Sequence, residues 1–217
     1  MFDFRFNHER DREIEVLCLG AHSDDIEIGC GGTISRLIKK FPGLAVHWVV
    51  FSSKGIRGDE ALESANVFLK DIKNKKILIE KFRDGFFPYM GDKVKEYFEQ
   101  LKNDVNPDII FTHYRQDFHQ DHRLIADLTW NTFRDHLILE YEIPKYDGDL
   151  GAPNFFVHLD EQTSRAKADH LVLHFGTQTN KHWFTRETFL ALLRLRGVES
   201  RSPEGYAEAF YCRKVIY

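Results

Sequence analysis

Cysteine is scarce in this chain of 217 residues: Cys18, Cys30 and Cys212 form an odd set with no Cys-x-x-Cys spacing. That pattern argues against a disulfide framework and against a cysteine-built zinc site, and it fits a reducing compartment. Long apolar runs are missing too. None approaches the roughly 18 residues needed to span a bilayer. The opening MFDFRFNHERDREIE carries charges where a secretory leader would have its apolar core, so a cytoplasmic location is the expectation. Nor is there an excess of positive charge. With 30 Lys and Arg against 34 Asp and Glu, the net charge of -4 offers no general attraction to nucleic acid polymers or anionic membranes. Internal repeats and low-complexity segments are also lacking.

What is present suffices for one sizeable core. A 42% hydrophobic and 14% aromatic composition over this length predicts a single domain spanning 1–217. Ile14 to Leu19, Leu44 to Phe51, Lys76 to Ile79 and Asp108 to Thr112 read as strands, and the segments after Gly32, Gly58 and Gly91 carry apolar residues at helical spacing. This alternation predicts an α/β, Rossmann-like, mostly parallel sheet flanked by helices, with its site beyond the carboxyl ends of the strands. A helix is expected after Asp121, and strands over Leu137 to Ile143 and Phe155 to Leu159. Helices over Glu161 to Leu173 and Thr185 to Leu195 and a closing strand over Ala207 to Tyr217 complete the reading. The region from about 137 to 217 reads as less regular, completing the cleft.

Two clusters carry the chemistry. Ala21-His22-Ser23-Asp24-Asp25 directly follows the first strand, and His119-Gln120-Asp121-His122 follows the fourth. Histidines and carboxylates arriving from two loops can hold a divalent ion while leaving a position open for water, as metal-assisted hydrolysis requires. Two adjacent carboxylates can then divide the work: a ligand must stay ionised, whereas a general base needs a pKa adjusted toward neutrality. The rival reading is that Asp24 and Asp25 cap a helix beginning between Glu27 and Gly32. Asp121 has the same capping alternative, beside a role orienting an imidazole through its second nitrogen. Gly29-Cys30-Gly31-Gly32 admits a phosphate cradle, but it lacks phosphate-loop spacing, and tight passage of the backbone is the favoured explanation.

The AHSDDIEIGCGGT segment with the later HQDH closely resembles the PIG-L/LmbE family of metal-dependent N-acetylglucosaminyl deacetylases. Arg57-Gly58-Asp59-Glu60-Ala61, Pro107-Asp108, Lys167 with Thr177-Gln178, and Tyr206 to Phe210 extend the likeness over most of the chain. Ser23 stands where the family usually has proline, and Ile26 where many members have glutamate. The resemblance implies that His22, Asp25 and His122 bind the metal, most simply zinc, with iron, cobalt or nickel accepted by similar ligands. It further implies that Asp24 is the general base and that protonated His119 stabilises the oxyanion, with Asp121 holding or charge-tuning a histidine, in particular His119. Either Asp24 or His119 would deliver the proton to the leaving amine. The implied reaction removes acetyl from an N-acetylglucosamine-type sugar conjugate. The alternatives are another amide on the same site, or a noncatalytic sugar- or nucleotide-binding protein. Arg57 is the candidate for substrate binding, as a charged donor to a sugar hydroxyl or phosphate. His113 is a candidate for a supporting or substrate contact, Glu140 and Tyr141 for lining the cleft, and His174 and Gln178 gain interest from the late match. A homo-oligomer is compatible with the aromatic content.

Overall fold

Parallel strands buried on both faces organise the molecule. The structure, a computed structural model, describes residues 14–216. The charged segment 1–13, on which the absence of a leader was read, and Tyr217 lie outside the described residues. Strands β1 (Glu15–His22), β2 (Ala45–Ser52), β3 (Asn74–Ile79), β4 (Ile109–His113), β5 (Leu137–Tyr141), β6 (Phe155–Leu159) and β7 (Tyr206–Cys212) form one sheet of order β3-β2-β1-β4-β5-β7-β6. The first five are mutually parallel, and β7 runs antiparallel to both β5 and β6.

Helices α1 (Asp25–Lys40), α2 (Ile56–Phe68), α3 (Gly91–Asp104), α4 (Gln120–Thr132), α5 (Glu161–His174) and α6 (Arg186–Glu199) cover the two faces. Alternation within β1 shows why both faces need covering. Val16 and Cys18 pack with Ile26, Ile34, Ala65, Leu171 and Phe189 from α1, α2, α5 and α6. Leu17 and Leu19 pack on the other side with Val94, Phe98 and Ile125 from α3 and α4. A strand apolar on both faces is the mark of a parallel sheet with helices on each side.

The expected strands stand within a few residues of their sequence positions. The fifth stops at Tyr141 rather than Ile143, and the last stops at Cys212. Irregularity in the second half is concentrated in 142–154 and 175–185, while β6, α5, α6 and β7 build the far side of the same sheet. α1 begins at Asp25 rather than after Gly32, and close packing explains its glycines. A Cβ on Gly29 would lie 2.2 Å from the Tyr141 ring, and one on Gly32 would lie 2.4 Å from Leu159. The amides of Gly32 and Thr33 donate to the Glu208 carboxylate at 2.7 and 2.6 Å, so these donors serve the fold and not a phosphate.

Strand order reverses around β1 and β4, the switch point at which open α/β sheets form their clefts. β1 runs directly into His22, and β4 leads through a short loop to α4, whose first turn carries His122.

Candidate active site

The two clusters meet in space. His22 Nδ1 lies 3.1 Å from His122 Nε2 and 3.4 Å from Asp25 Oδ2, and His122 Nε2 lies 3.6 Å from the same carboxylate oxygen. Nitrogen and oxygen ligands about 2.0–2.1 Å from a tetrahedral ion sit about 3.3 Å from one another. The triangle therefore has the size of one face of such a coordination sphere, and the donor set fits a divalent metal.

The outer ring nitrogens are held by carboxylates. His122 Nδ1 faces Asp117 Oδ2 at 3.0 Å, and His22 Nε2 faces Asp84 Oδ1 at 3.1 Å and Asp121 Oδ2 at 3.3 Å. A carboxylate behind each imidazole fixes the ring and its tautomer, the usual support of a metal-binding histidine. Asp25 is anchored as well, accepting the His22 backbone N–H at 2.6 Å. His113 is fully buried, stacks on His122 at 3.9 Å and contacts Asp25 at 3.2 Å, so it supports the site from beneath.

Asp24 stands apart from the triangle. It occupies the N-cap position of α1 yet makes no side-chain cap, and it is almost completely buried. Burial, aided by the charge of Asp25 and opposed by Lys181 and Arg57, pushes its carboxyl up to about 6. For Asp25 the balance is reversed: burial acts upward, but the imidazoles of His122 and His113 hold it well below the usual carboxylate range. Burial and the neighbouring His113 push His122 down to about 3, leaving it the neutral imidazole a ligand must be. At His22 burial is outweighed by Asp121, Asp25 and Asp84, which raise its affinity for a cation, whether proton or metal.

His119 sits over these rings, 4.9 Å from His22 and 4.5 Å from His122 between centroids. Burial and the nearby His22 lower its pKa, so its surroundings favour the neutral ring over the protonated one expected. The Asp121 N–H donates to His119 Nδ1 at 3.3 Å, which leaves the ring hydrogen on Nε2 as a donor. Asp121 does not hold His119 through its carboxylate. That group accepts the amides of Gly85 and Phe87 at 2.7 and 3.1 Å and meets His22, since the first turn of α4 points it across to the 84–87 loop.

A cavity of about 300 Å³ opens over the cluster. Arg57, the candidate for substrate binding, lines it, paired with Asp84 at 3.0 Å. The sequence reading did not single out its other walls, Lys145, Tyr146, Asp147, Lys181 and Trp183, because they lie in irregular stretches with no periodic signal. Asp84 and Asp117 were legible in principle, as carboxylates in the loops that follow β3 and β4.

Several late candidates have structural roles instead. Glu140 is buried against Trp130 and Arg213, and the Tyr141 hydroxyl donates to the Leu19 carbonyl at 2.6 Å, so neither lines the cavity. His174 and Gln178 also lie outside its lining. Lys167 donates to Ile28 O and Glu208, while Glu60 accepts from Thr177, so the late motif fastens α5 and its following turn to α1 and α2. A second cavity of about 340 Å³, near Arg36, Lys39 and Asp160, lies away from the histidine cluster.

A family profile described as PIG-L, GlcNAc-PI de-N-acetylase, matches residues 17–133, the span holding both clusters and Arg57. A protein of Escherichia coli strain K12 described as uncharacterized deacetylase YaiS is 30% identical over 137 residues, covering 59% of this chain and 74% of the relative. Two solved structures share the fold. The N,N'-diacetylchitobiose deacetylase of Pyrococcus horikoshii has a TM-score of 0.67 at 21% identity, over 92% of this chain and 83% of its own. GalB, the 4-carboxy-2-hydroxymuconate hydratase of Pseudomonas putida KT2440, has a TM-score of 0.73 at 17% identity, over 94% and 98%. One fold thus carries two reactions, and the chemistry has to be argued from the site.

Proposed function

Because this chain belongs to the PIG-L family, we propose that it is a metal-dependent N-deacetylase, acting as one domain on the acetamide of an N-acetylglucosamine-type sugar conjugate. The observation that carries the reading is the triangle of His22, Asp25 and His122, with sides of 3.1, 3.4 and 3.6 Å, beside a buried carboxylate outside it. Those three side chains would hold the ion, zinc on the donor set, with iron, cobalt or nickel compatible. When bound, a divalent ion polarises the amide carbonyl and makes a neighbouring water acidic.

The chain's own groups supply the remaining steps. Asp24, poised at about 6, takes a proton from the water that attacks the carbonyl carbon. The His119 Nε2–H hydrogen-bonds the carbonyl oxygen as charge develops there, without giving up its proton. Asp24 then returns its proton to the amine nitrogen as the carbon–nitrogen bond breaks, releasing acetate and a primary amine. Arg57 lines the cavity as a donor to the sugar or its substituent, held in place by Asp84.

No helix among the described residues is long and apolar enough to cross a membrane. Separately, three cysteines without disulfide spacing favour a reducing, cytoplasmic setting. The reading is tested by metal analysis followed by acetate and amine detection over a panel of N-acetylglucosamine conjugates and other amides. Stoichiometric metal with acetate release supports it. Bound metal with no acid released from any amide would overturn it in favour of a binding protein or a different use of the fold.

A further inference from the structure

We propose that the cavity contains an anion subsite built on Lys181, which selects amino-sugar conjugates carrying a phosphate or carboxylate substituent; the selection of conjugates rests on the deacetylase reading. Three cations line this cavity, and two are already neutralised. Arg57 is paired with Asp84 at 3.0 Å, and Lys145 with Asp117 at 2.9 Å and Asp149 at 2.6 Å. Among the described residues, Lys181 has no carboxylate within ion-pairing distance. Its charge acts on the Asp24 carboxyl in the same cavity without forming an ion pair with it, so the ammonium remains available to an anionic ligand.

The local structure holds it there. The Lys181 N–H donates to the Gln178 carbonyl at 3.0 Å, and the Phe184 N–H donates to the Lys181 carbonyl at 3.0 Å, closing two successive turns. Phe184 is buried in the core, and the His182 N–H reaches the Tyr146 hydroxyl at 3.2 Å across the cavity rim. The backbone is thereby pinned at both ends while the side chain stays partly buried. Its Nζ lies 5.3 Å from the centre of the Trp183 ring, which itself lines the cavity. A ring face holds an ammonium without cancelling its charge, and it offers a sugar a flat apolar surface. A lysine acts on phosphate or carboxylate as a flexible point charge, so the subsite is defined by charge more than by shape.

The test compares kcat/KM for N-acetylglucosamine, its 1- and 6-phosphates and N-acetylmuramic acid in wild type, Lys181→Gln and Lys181→Arg. The phosphates and the carboxylate separate the two sources of the anion. The wild type is expected to favour at least one anionic congener. Lys181→Gln should reduce the anionic-to-neutral ratio by about 10- to 100-fold, the range of a charge-assisted hydrogen bond, mainly through KM, and Lys181→Arg should restore most of it. A wild type that favours the neutral sugar, or a Lys181→Gln variant that leaves the ratio unaltered, overturns the subsite. Calorimetric binding of glucosamine 6-phosphate against glucosamine provides a readout independent of turnover. A preference for the phosphate that disappears in Lys181→Gln without any acetate release would keep the subsite and remove the deacetylase reading. Equal binding of both ligands by the wild type would remove the subsite for phosphate.

Discussion

Asp24 and Asp25 are neighbours of identical chemistry whose surroundings separate them. Asp25 faces three imidazoles and is held as a carboxylate, whereas Asp24 faces none of them within bonding distance and is pushed up to about 6. A base works only when ionised, so kcat/KM should rise with pH along an acid limb. A bound divalent ion pulls that limb down and burial holds it up, which places it between the ordinary 3.8 and about 6. A pH profile flat down to pH 3.5 would contradict the assignment. The same shift has a consequence for stability. A carboxyl raised in the folded state disfavours ionisation, so its contribution is lost as pH rises from 3.8 through about 6. In chelated protein, Asp24→Asn should therefore raise the Tm at pH 8, by about 1–3 kcal/mol of stability, with the gain shrinking toward pH 4. Equal melting of the two proteins at pH 8 would count against a buried, strained base.

Elements decide which residues can meet. The first turn of α4 presents His122 to the triangle and Asp121 to the 84–87 loop, so one helix start fixes one proposed ligand and the loop behind the other. Asp121→Ala should free that loop and loosen His22, weakening metal affinity by about 10- to 100-fold in a chelator competition. Unchanged affinity would show the contact to be incidental. On α1, Gly29→Ala should destabilise the fold by about 1–3 kcal/mol, because the Tyr141 ring has no room for a methyl group, and a thermal melt measures the loss. The strands and most helices were legible because apolar patterning reports burial directly. The start of α1 was not, because its first turn holds buried acids and glycines whose reason lies in tertiary packing. Asp121 was expected to hold or charge-tune a histidine, in particular His119; its charge does act on His119 while its carboxylate touches His22, and only the path of the 84–87 loop tells which ring it touches.

Across the whole molecule, the site is a product of topology. β1 and β4 are adjacent in the sheet although about ninety residues apart in the chain, and their carboxyl ends bring His22 and His122 together. That much was readable from two motifs following two strands. The walls contributed by 142–154 and 175–185 were not, since loops without periodicity carry no signal of where they fold back. The antiparallel insertion of β7 between β5 and β6 was equally hidden, because alternation marks a strand without giving its direction. Joining β1 to α4 through an ion should stabilise the fold by about 2.7 kcal/mol at a hundredfold excess over Kd. The Tm should rise accordingly with added metal in the wild type but not in His122→Ala. The most direct test of the central division of labour is the metal stoichiometry of Asp24→Asn, measured beside its rate of acetate release. Wild-type metal content with turnover lowered at least about 100-fold is the predicted result. Loss of the metal in that variant would make Asp24 a ligand and contradict the account.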